Sequence, residues 1–479
     1  MMKKAKSLLA LILAMLIAFG GTVCAFAADP TEVEPNNEIA TATELNLDKG
    51  IKGKISDADD KDVYALTIAD GTGSGLITIS LAHDVKTTAD PVMSYFVVTA
   101  LDAKKNVIDS VKSAGTDSKV SFDFSVNPGV YYIEVAMGNV LDETLEYTLS
   151  AKINKTALIE TEPNDTTSQA TSLKLSKKGE TNLYYGAITE GDVDYYAVNF
   201  TSPVLASFGI YNTASKTGNY KATLIKVVDG IDGETIQKTV GTIEIKDGET
   251  VKDSPVFGVN GGVYFLKVEG VSKTTTGGYQ VRVFAGSSSS TDEYEYNNEP
   301  KYANLLNEGK YFTANIFDET DVDVFKFKAP KKNNGYNVTL ADFDGKKDVT
   351  NGQWIIEIEN ENGDVISAAT TVLNSEKITV STDVLAEGTY YITVTSGNVF
   401  TGETYKVSLD EKKKSEVEED KDDGITTIQE FFANITSIDW SGFWKNFEGW
   451  FEYINIVGIV TDIMPGIVKM LSDLVFSKV

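Results

Sequence analysis

Cysteine and histidine are almost absent from this chain of 479 residues: Cys24 is the only cysteine and His83 the only histidine. A single thiol excludes an internal disulfide and a multi-thiolate metal site. One imidazole excludes an H-E-x-x-H zinc motif and leaves a single base for any Ser or Thr nucleophile. Positive charge is scarce as well, with 43 Lys and Arg against 70 Asp and Glu and a formal charge of -27 at pH 7. Phosphate-bearing partners need clustered cations, so nucleic acid and anionic lipid are poor partners, whereas cations or basic surfaces fit.

The N-terminus carries Lys3, Lys4 and Lys6, an apolar run over 8–19 and the small-residue site Ala25-Phe26-Ala27. That order reads as a secretory signal peptide over residues 1–27, cut after Ala27. Cys24 falls inside it, and Val23 before it does not suit a lipoprotein site. The exported chain is therefore expected to be cysteine-free and extracellular, free or held at the cell surface.

What the sequence has in plenty is repetition. Glu32-Val33-Glu34-Pro35-Asn36-Asn37 returns as Glu160-Thr161-Glu162-Pro163-Asn164-Asp165 and as Glu293-Tyr294-Glu295-Tyr296-Asn297-Asn298. An acidic pair entering a strand follows each: Asp60-Lys61-Asp62-Val63-Tyr64, Asp192-Val193-Asp194-Tyr195-Tyr196 and Asp321-Val322-Asp323-Val324-Phe325. A turn glycine before an aromatic strand comes third: Gly129-Val130-Tyr131-Tyr132-Ile133, Gly262-Val263-Tyr264-Phe265-Leu266 and Gly388-Thr389-Tyr390-Tyr391-Ile392. Three landmarks in one order, three times, define a tandem array. With 42% hydrophobic and 10% aromatic residues, each repeat can bury a core despite the net charge.

In the first repeat, runs of β-branched and aromatic residues at 51–55, 63–68, 76–81, 95–101, 120–126, 130–135 and 147–153 are separated by Gly, Asn and Asp. Short strands so punctuated predict an antiparallel β-sandwich. One or two helical turns are expected over 38–45, capped by Asn36 or Asn37. Gly71-Thr72-Gly73-Ser74-Gly75 reads as a hairpin turn and His83 as an exposed loop residue. The chain is thus expected to be mainly β, with sandwiches at 29–154, 155–286 and 291–410, a Ser linker at 287–290 and a charged linker at 411–424.

A helical tail is expected over 425–479, where Phe443, Phe447, Trp450, Phe451 and Ile454 share one helix face and Pro465 with Gly466 breaks it. Asp462, Pro465, Lys469 and Asp473 interrupt every window of about 20 residues, which argues against a membrane span. The tail either packs as a helical hairpin on itself or on the third sandwich, or is an amphipathic segment that meets a membrane or self-associates.

Chemistry concentrates at the acidic motifs. In an extended strand residues i and i+2 point the same way, so Glu32 and Glu34 present carboxylates about 7 Å apart, and Asp60 and Asp62 can do likewise. Facing one another, with the Asn36 amide oxygen, they surround one point that only a cation relieves of repulsion. Calcium suits an all-oxygen set; zinc and copper do not, for want of His and Cys. The alternative is solvated surface acids with Asn as a helix cap.

Each repeat resembles the bacterial pre-peptidase C-terminal domain family, which includes the collagen-binding domains of clostridial collagenases. The resemblance rests on E-x-E-P-N-[ND], the acidic pair before an aromatic strand and G-x-Y-Y-[IL]-x-V, and covers 31–409. It implies a jelly-roll-like sandwich that accompanies secreted enzymes as a non-catalytic module and, in some members, holds calcium. The implied ligands are Glu32, Glu34, Asn36, Asp59 and Asp62 in the first repeat. In the second they are Glu160, Glu162, Asn164, Asp165 and Asp194, with Gly191 in place of the earlier loop acid and Asp192 beside it. In the third they are Glu293, Glu295, Asn297 and Asp323, with Thr320 and Asn298 departing. The pattern is fullest in the first repeat and thinnest in the third. Collagen binding does not transfer, because the extra tyrosines of collagen-binding members are replaced by Ala136-Met137, Glu269-Gly270 and Thr395-Ser396.

These readings converge on a secreted, non-catalytic binding or adhesion protein of calcium-holding modules that recognise an extracellular polymer, protein or polysaccharide, or a cell surface. The alternatives are a spacer that presents the tail and a carboxylate-dependent glycoside hydrolase.

Overall fold

The computed structural model describes residues 30–85, 93–213, 218–230, 234–343, 353–371, 375–397 and 403–413. The stretch read as a signal peptide at 1–27, the rest of the charged run from 414 on and the tail at 425–479 expected to be helical lie outside the described residues. Within them the chain is mostly β, with no α-helix and only two 3-10 turns.

The first repeat folds into β1 (Thr43–Glu44), β2 (Gly50–Gly53), β3 (Lys61–Ile68), β4 (Gly75–His83), β5 (Ser94–Leu101), β6 (Val107–Ala114), β7 (Lys119–Val126), β8 (Gly129–Met137) and β9 (Tyr147–Asn154). Two sheets result, in the orders β1-β3-β8-β5-β6 and β2-β9-β4-β7. Alternation along each strand decides which residues they trap. Tyr64, Leu66 and Ile68 of β3 meet Ile133 and Val135 of β8, Ile77, Ile79 and Leu81 of β4, and Phe122 and Phe124 of β7 in one core. Each such side chain contributes about 1.5–3 kcal/mol on full burial.

Three expectations need correction here. The helix over 38–45 is one 3-10 turn, Ile39–Thr41, with no side-chain cap bond. Thr43 and Glu44 beyond it pair in parallel with Tyr64 and Ala65, which pulls the chain out of helical geometry. The Gly71–Gly75 stretch is not a hairpin, because β3 and β4 belong to different sheets; Gly73 turns the chain between them at φ +74°. Strand β6 was not expected: its sequence VIDSVKSA buries residues out of step with alternation, and it pairs with β5 through irregular register.

The same strand order recurs. In the second repeat one sheet runs Thr171–Leu173, Val193–Phe200, Gly262–Gly270, Tyr220–Asp229, Thr235–Ile245, and the other centres on Tyr184–Ile188, Gly277–Gly286 and Val204–Asn212. In the third the orders are Asn304–Leu305, Asp323–Ala329, Gly388–Ser396, Trp354–Glu359, Val365–Thr370, and Lys310–Ile316, Glu403–Glu411, Tyr336–Ala341, Lys377–Ser381. Tyr132, Phe265 and Tyr391 take equivalent places, opposite Ala65, Ala197 and Lys326.

Described residues up to Ser289 form one compact unit and those from Ser290 another. The first unit holds two sandwiches, with β6 and β7 of the first against Tyr184–Ile188 and Gly277–Gly286 of the second. Ala187 of the second sandwich joins the core of the first.

Candidate metal centre

In the first sandwich the acidic motif is fastened to β2: Glu32 N–H donates to the Lys52 carbonyl at 2.9 Å, and Lys52 N–H to Pro30 at 2.8 Å. The Asn36 carbonyl takes the Val63 N–H at 3.0 Å, which sets the motif beside the start of β3. Glu32, Glu34 and Asp62 thereby present oxygens within 4.8 Å of one another. Asn36 is fully buried among them and caps no helix. With its Oδ1 turned toward Asp62 and Glu34, only acceptors face each other; with the amide reversed, Nδ2 donates to Asp62 Oδ1 and Glu34 Oε2 at 3.2 Å each. A cation favours the first orientation.

The loop acids divide. Asp59 is exposed on the rim of the recess, its N–H donating to Asp57 Oδ1 at 2.8 Å. Asp60 is buried, its Oδ2 accepting the Ser56 N–H at 2.6 Å, and its charge acts on both Glu34 and Asp62. Its counterparts are Asp192, which accepts from Thr189 N–H at 3.2 Å, and Asp321, which accepts from Phe317 N–H at 2.6 Å. The acid pair two residues apart, present in all three repeats, was the signal for this position.

The second cluster gathers Glu160, Glu162 and Asp194, and the third Glu293, Glu295 and Asp323, at the same spacing. Asp165 stays exposed at the edge of a cleft of about 620 Å³ that Glu160, Glu162 and Asp192 line with Lys104 and Tyr131 of the first sandwich. All three carboxylates of the third cluster are buried, as are Asn297 and Asp321. The repeat with the thinnest motif is therefore the most enclosed.

Tyrosines brace the carboxylates from within the core. Tyr64 Oη donates to Glu32 Oε2 at 2.7 Å and lies 2.7 Å from Tyr147 Oη, and Tyr147 Oη donates in turn to Asp62. Tyr196 to Glu160 at 3.2 Å, Tyr196 with Tyr279 at 2.7 Å and Tyr279 to Asp194 at 2.6 Å repeat the relay. In the third sandwich Tyr405 donates to Asp323 at 2.6 Å, but Phe325 replaces the first tyrosine. The facing strand compensates. Gly53 and Gly186 face Tyr147 and Tyr279, whereas Ala314 faces Tyr405. A Cβ at Gly53 or Gly186 would stand 2.4 Å from the tyrosine oxygen. Without the second hydroxyl, the third sandwich has room for a methyl. Sequence reasoning placed Tyr64 and Tyr196 at the start of the aromatic strand but missed their bonds to the acids, and it missed the partner tyrosines and the glycines.

Burial, then neighbouring carboxylates, pushes Asp194 and Glu293 well above the usual carboxylate range. Asp62 is raised chiefly by burial, against the Tyr147 hydrogen bond, with the Glu32 charge adding to it. Burial raises Glu160, with the Glu162 charge second. Several buried atoms have no hydrogen-bond partner: both amide atoms of Asn164, Asp194 Oδ1, Asn297 Oδ1, Asp321 Oδ1 and Asp323 Oδ1. Each orphan costs about 1–3 kcal/mol, so a set of them around grouped carboxylates fits a hard cation that takes many oxygens at flexible geometry.

His83 is buried rather than exposed. Strand β4 runs on to pair His83 with Tyr147, and the ring packs edge-on against Phe96 at 5.4 Å. Its Nε2 meets Ser113 Oγ and its Nδ1 lies 3.0 Å from the Asp84 carbonyl oxygen. Ser113 is fully buried as well.

No protein-family model matches the chain, and no curated protein matches it. Among solved structures it is similar to the pre-peptidase C-terminal domain of a collagenase from Bacillus anthracis, at 21% identity over 25% of this chain and 100% of that one, with a TM-score of 0.19. It is also similar to the CBM22-1-CBM22-2 tandem domain of Xyn10C from Paenibacillus barcinonensis, at 12% identity over 47% and 82% of the two chains, TM-score 0.18. Tandem CBM51 modules of the family 98 glycoside hydrolase of Streptococcus pneumoniae SP3-BS71 match at 10% identity over 76% and 83%, TM-score 0.16. At these values the likenesses carry no argument about function.

Proposed function

We propose that this chain is a secreted, non-catalytic binding protein whose sandwiches hold calcium and recognise an extracellular polymer, protein or polysaccharide. The observation that carries the reading is the thrice-built cluster of two Glu and one Asp with oxygens within 4.8 Å of one another, accompanied each time by the fully buried Asn of the motif. Glu32, Glu34, Asn36 and Asp62, with Asp60 behind them, would hold the ion in the first sandwich. Glu160, Glu162, Asn164 and Asp194 would do so in the second, and Glu293, Glu295, Asn297 and Asp323 in the third. The ion offsets repulsion among grouped acids, of which the fold buries one in the first cluster, two in the second and all three in the third. Its role is stability and shape, since the only imidazole is spent inside the first core.

Calorimetric titration of the full chain with calcium, and melting in EDTA against millimolar calcium with magnesium as control, tests the first half. At a hundredfold excess over Kd, binding to the folded state alone adds about 2.7 kcal/mol. No binding heat and an unchanged midpoint would end the calcium reading. Pull-down on cell-wall, polysaccharide and matrix polymers, with and without 425–479, tests the second half. Capture that needs only the tail would favour the spacer alternative.

A further inference from the structure

The second cluster is braced by a residue of the neighbouring sandwich. Ser125 Oγ, on β7 of the first sandwich, donates to Glu160 Oε1 at 2.7 Å. The same oxygen takes the Ala187 N–H at 2.8 Å. The matching oxygens of Glu32 and Glu293 accept the N–H of Lys54 at 2.8 Å and of Asn315 at 2.6 Å, each from its own sandwich.

The contact surface is built for this approach. On β7, Phe122 and Phe124 point into the first core, so Ser125 points out of it and is buried because the second sandwich covers it. Gly278 lies so close to β7 that a Cβ would stand 2.9 Å from the Asp123 carbonyl oxygen. The residues one place before the equivalent tyrosines are Glu146 and Thr404, whose side chains would not fit there. Asn164, fully buried beside Glu160 and Glu162 with both amide atoms unpartnered, points independently to a ligand at this cluster.

We propose that Ser125 is a positioning residue for the second cation site, and that cation binding at Glu160, Glu162, Asn164 and Asp194 is coupled to docking of the first sandwich on the second. This rests on the calcium reading above. The Ser125 hydroxyl fixes Oε1 and leaves Oε2 turned toward the Tyr196 and Tyr279 hydroxyls. A cation that holds the carboxylate in that rotamer favours the docked arrangement, and the docked arrangement favours the cation by the same factor. A hydrogen bond to an ionised acceptor is stronger than a neutral one, so the coupling has a definite source.

The test uses the full chain, calcium chloride titrations and hydrogen exchange read by mass spectrometry. Ser125→Ala should weaken one class of calcium site about 5- to 10-fold, the lower part of the usual coupling range because the Ala187 N–H still holds Oε1. Ser125→Thr, which keeps the hydroxyl, should restore it. Calcium should slow exchange of β7 amides in the wild type and in Glu293→Gln, but not in Glu160→Gln. Absence of calcium binding in the wild type overturns the calcium reading and this one together. Calcium binding that Ser125→Ala leaves unaltered, or β7 exchange indifferent to Glu160→Gln, overturns the coupling alone.

Discussion

The pairing of a glycine with two tyrosine hydroxyls makes Gly186→Ala a decisive perturbation. The new methyl would stand 2.4 Å from Tyr279 Cζ and Oη and 2.6 Å from Glu160 Oε2. Tyr279 is fully buried, so it can yield only by breaking its bonds to Tyr196 and Asp194. Overpacking costs about 1–3 kcal/mol and each of the two lost hydrogen bonds about 0.5–1.5 kcal/mol, so the substitution should destabilise by about 2–6 kcal/mol. The third sandwich shows the escape, since Ala314 faces Tyr405 where Phe325 carries no hydroxyl. Tyr196→Phe in the Gly186→Ala background should therefore recover about 1 kcal/mol or more relative to additivity, within the range for contacting residues. Scanning calorimetry of the full chain in excess calcium, comparing wild type, both single variants and the double variant, gives the cycle. Costs that add to within about 0.5 kcal/mol would refute the idea that hydroxyl and methyl compete for one space.

Three further outcomes are expected. Because burial raises Asp62, Glu160 and Glu293 in the folded state, the metal-free fold binds protons more tightly than the unfolded chain. That contribution is full below the unfolded carboxylate values near about 4 and is lost as pH rises through the folded ones. In EDTA the melting temperature should thus fall from about pH 5 to about pH 8, and calcium should flatten the profile; a flat profile in EDTA contradicts the reasoning. Asp59→Ala should change the calcium Kd of the first site less than about twofold, while Asp60→Asn should weaken it several-fold, since only Asp60 is buried beside Glu34 and Asp62; equal effects in titration would place the loop differently. Deletion of 425–479 should leave the melting of the sandwiches unchanged by calorimetry, because the charged run over 411–424 separates it from them in sequence; lost cooperativity would assign the tail to a core.

Much of this protein was legible in the sequence because its signals are local and repeated. The alternation of Tyr64, Leu66 and Ile68 fixes which face of β3 is buried, whatever packs on it, and a motif that returns three times must make the same structure three times. Glu32 and Glu34 share a side because strand geometry demands it. What the tertiary structure decided are the matters that turn on who stands opposite. Asp60 rather than Asp59 faces the motif because a turn closed by the Asp57 carboxylate on the Asp59 N–H throws Asp59 outward. Asn36 sits among the acids because β1 pairs with β3 and leaves no helix to cap. His83 is buried because β4 runs two residues past its apolar run to reach Tyr147. The tyrosine relay, the glycines that admit it and the reach of Ser125 into the next sandwich join residues far apart in sequence, and only close packing of one strand on another brings them to a common point.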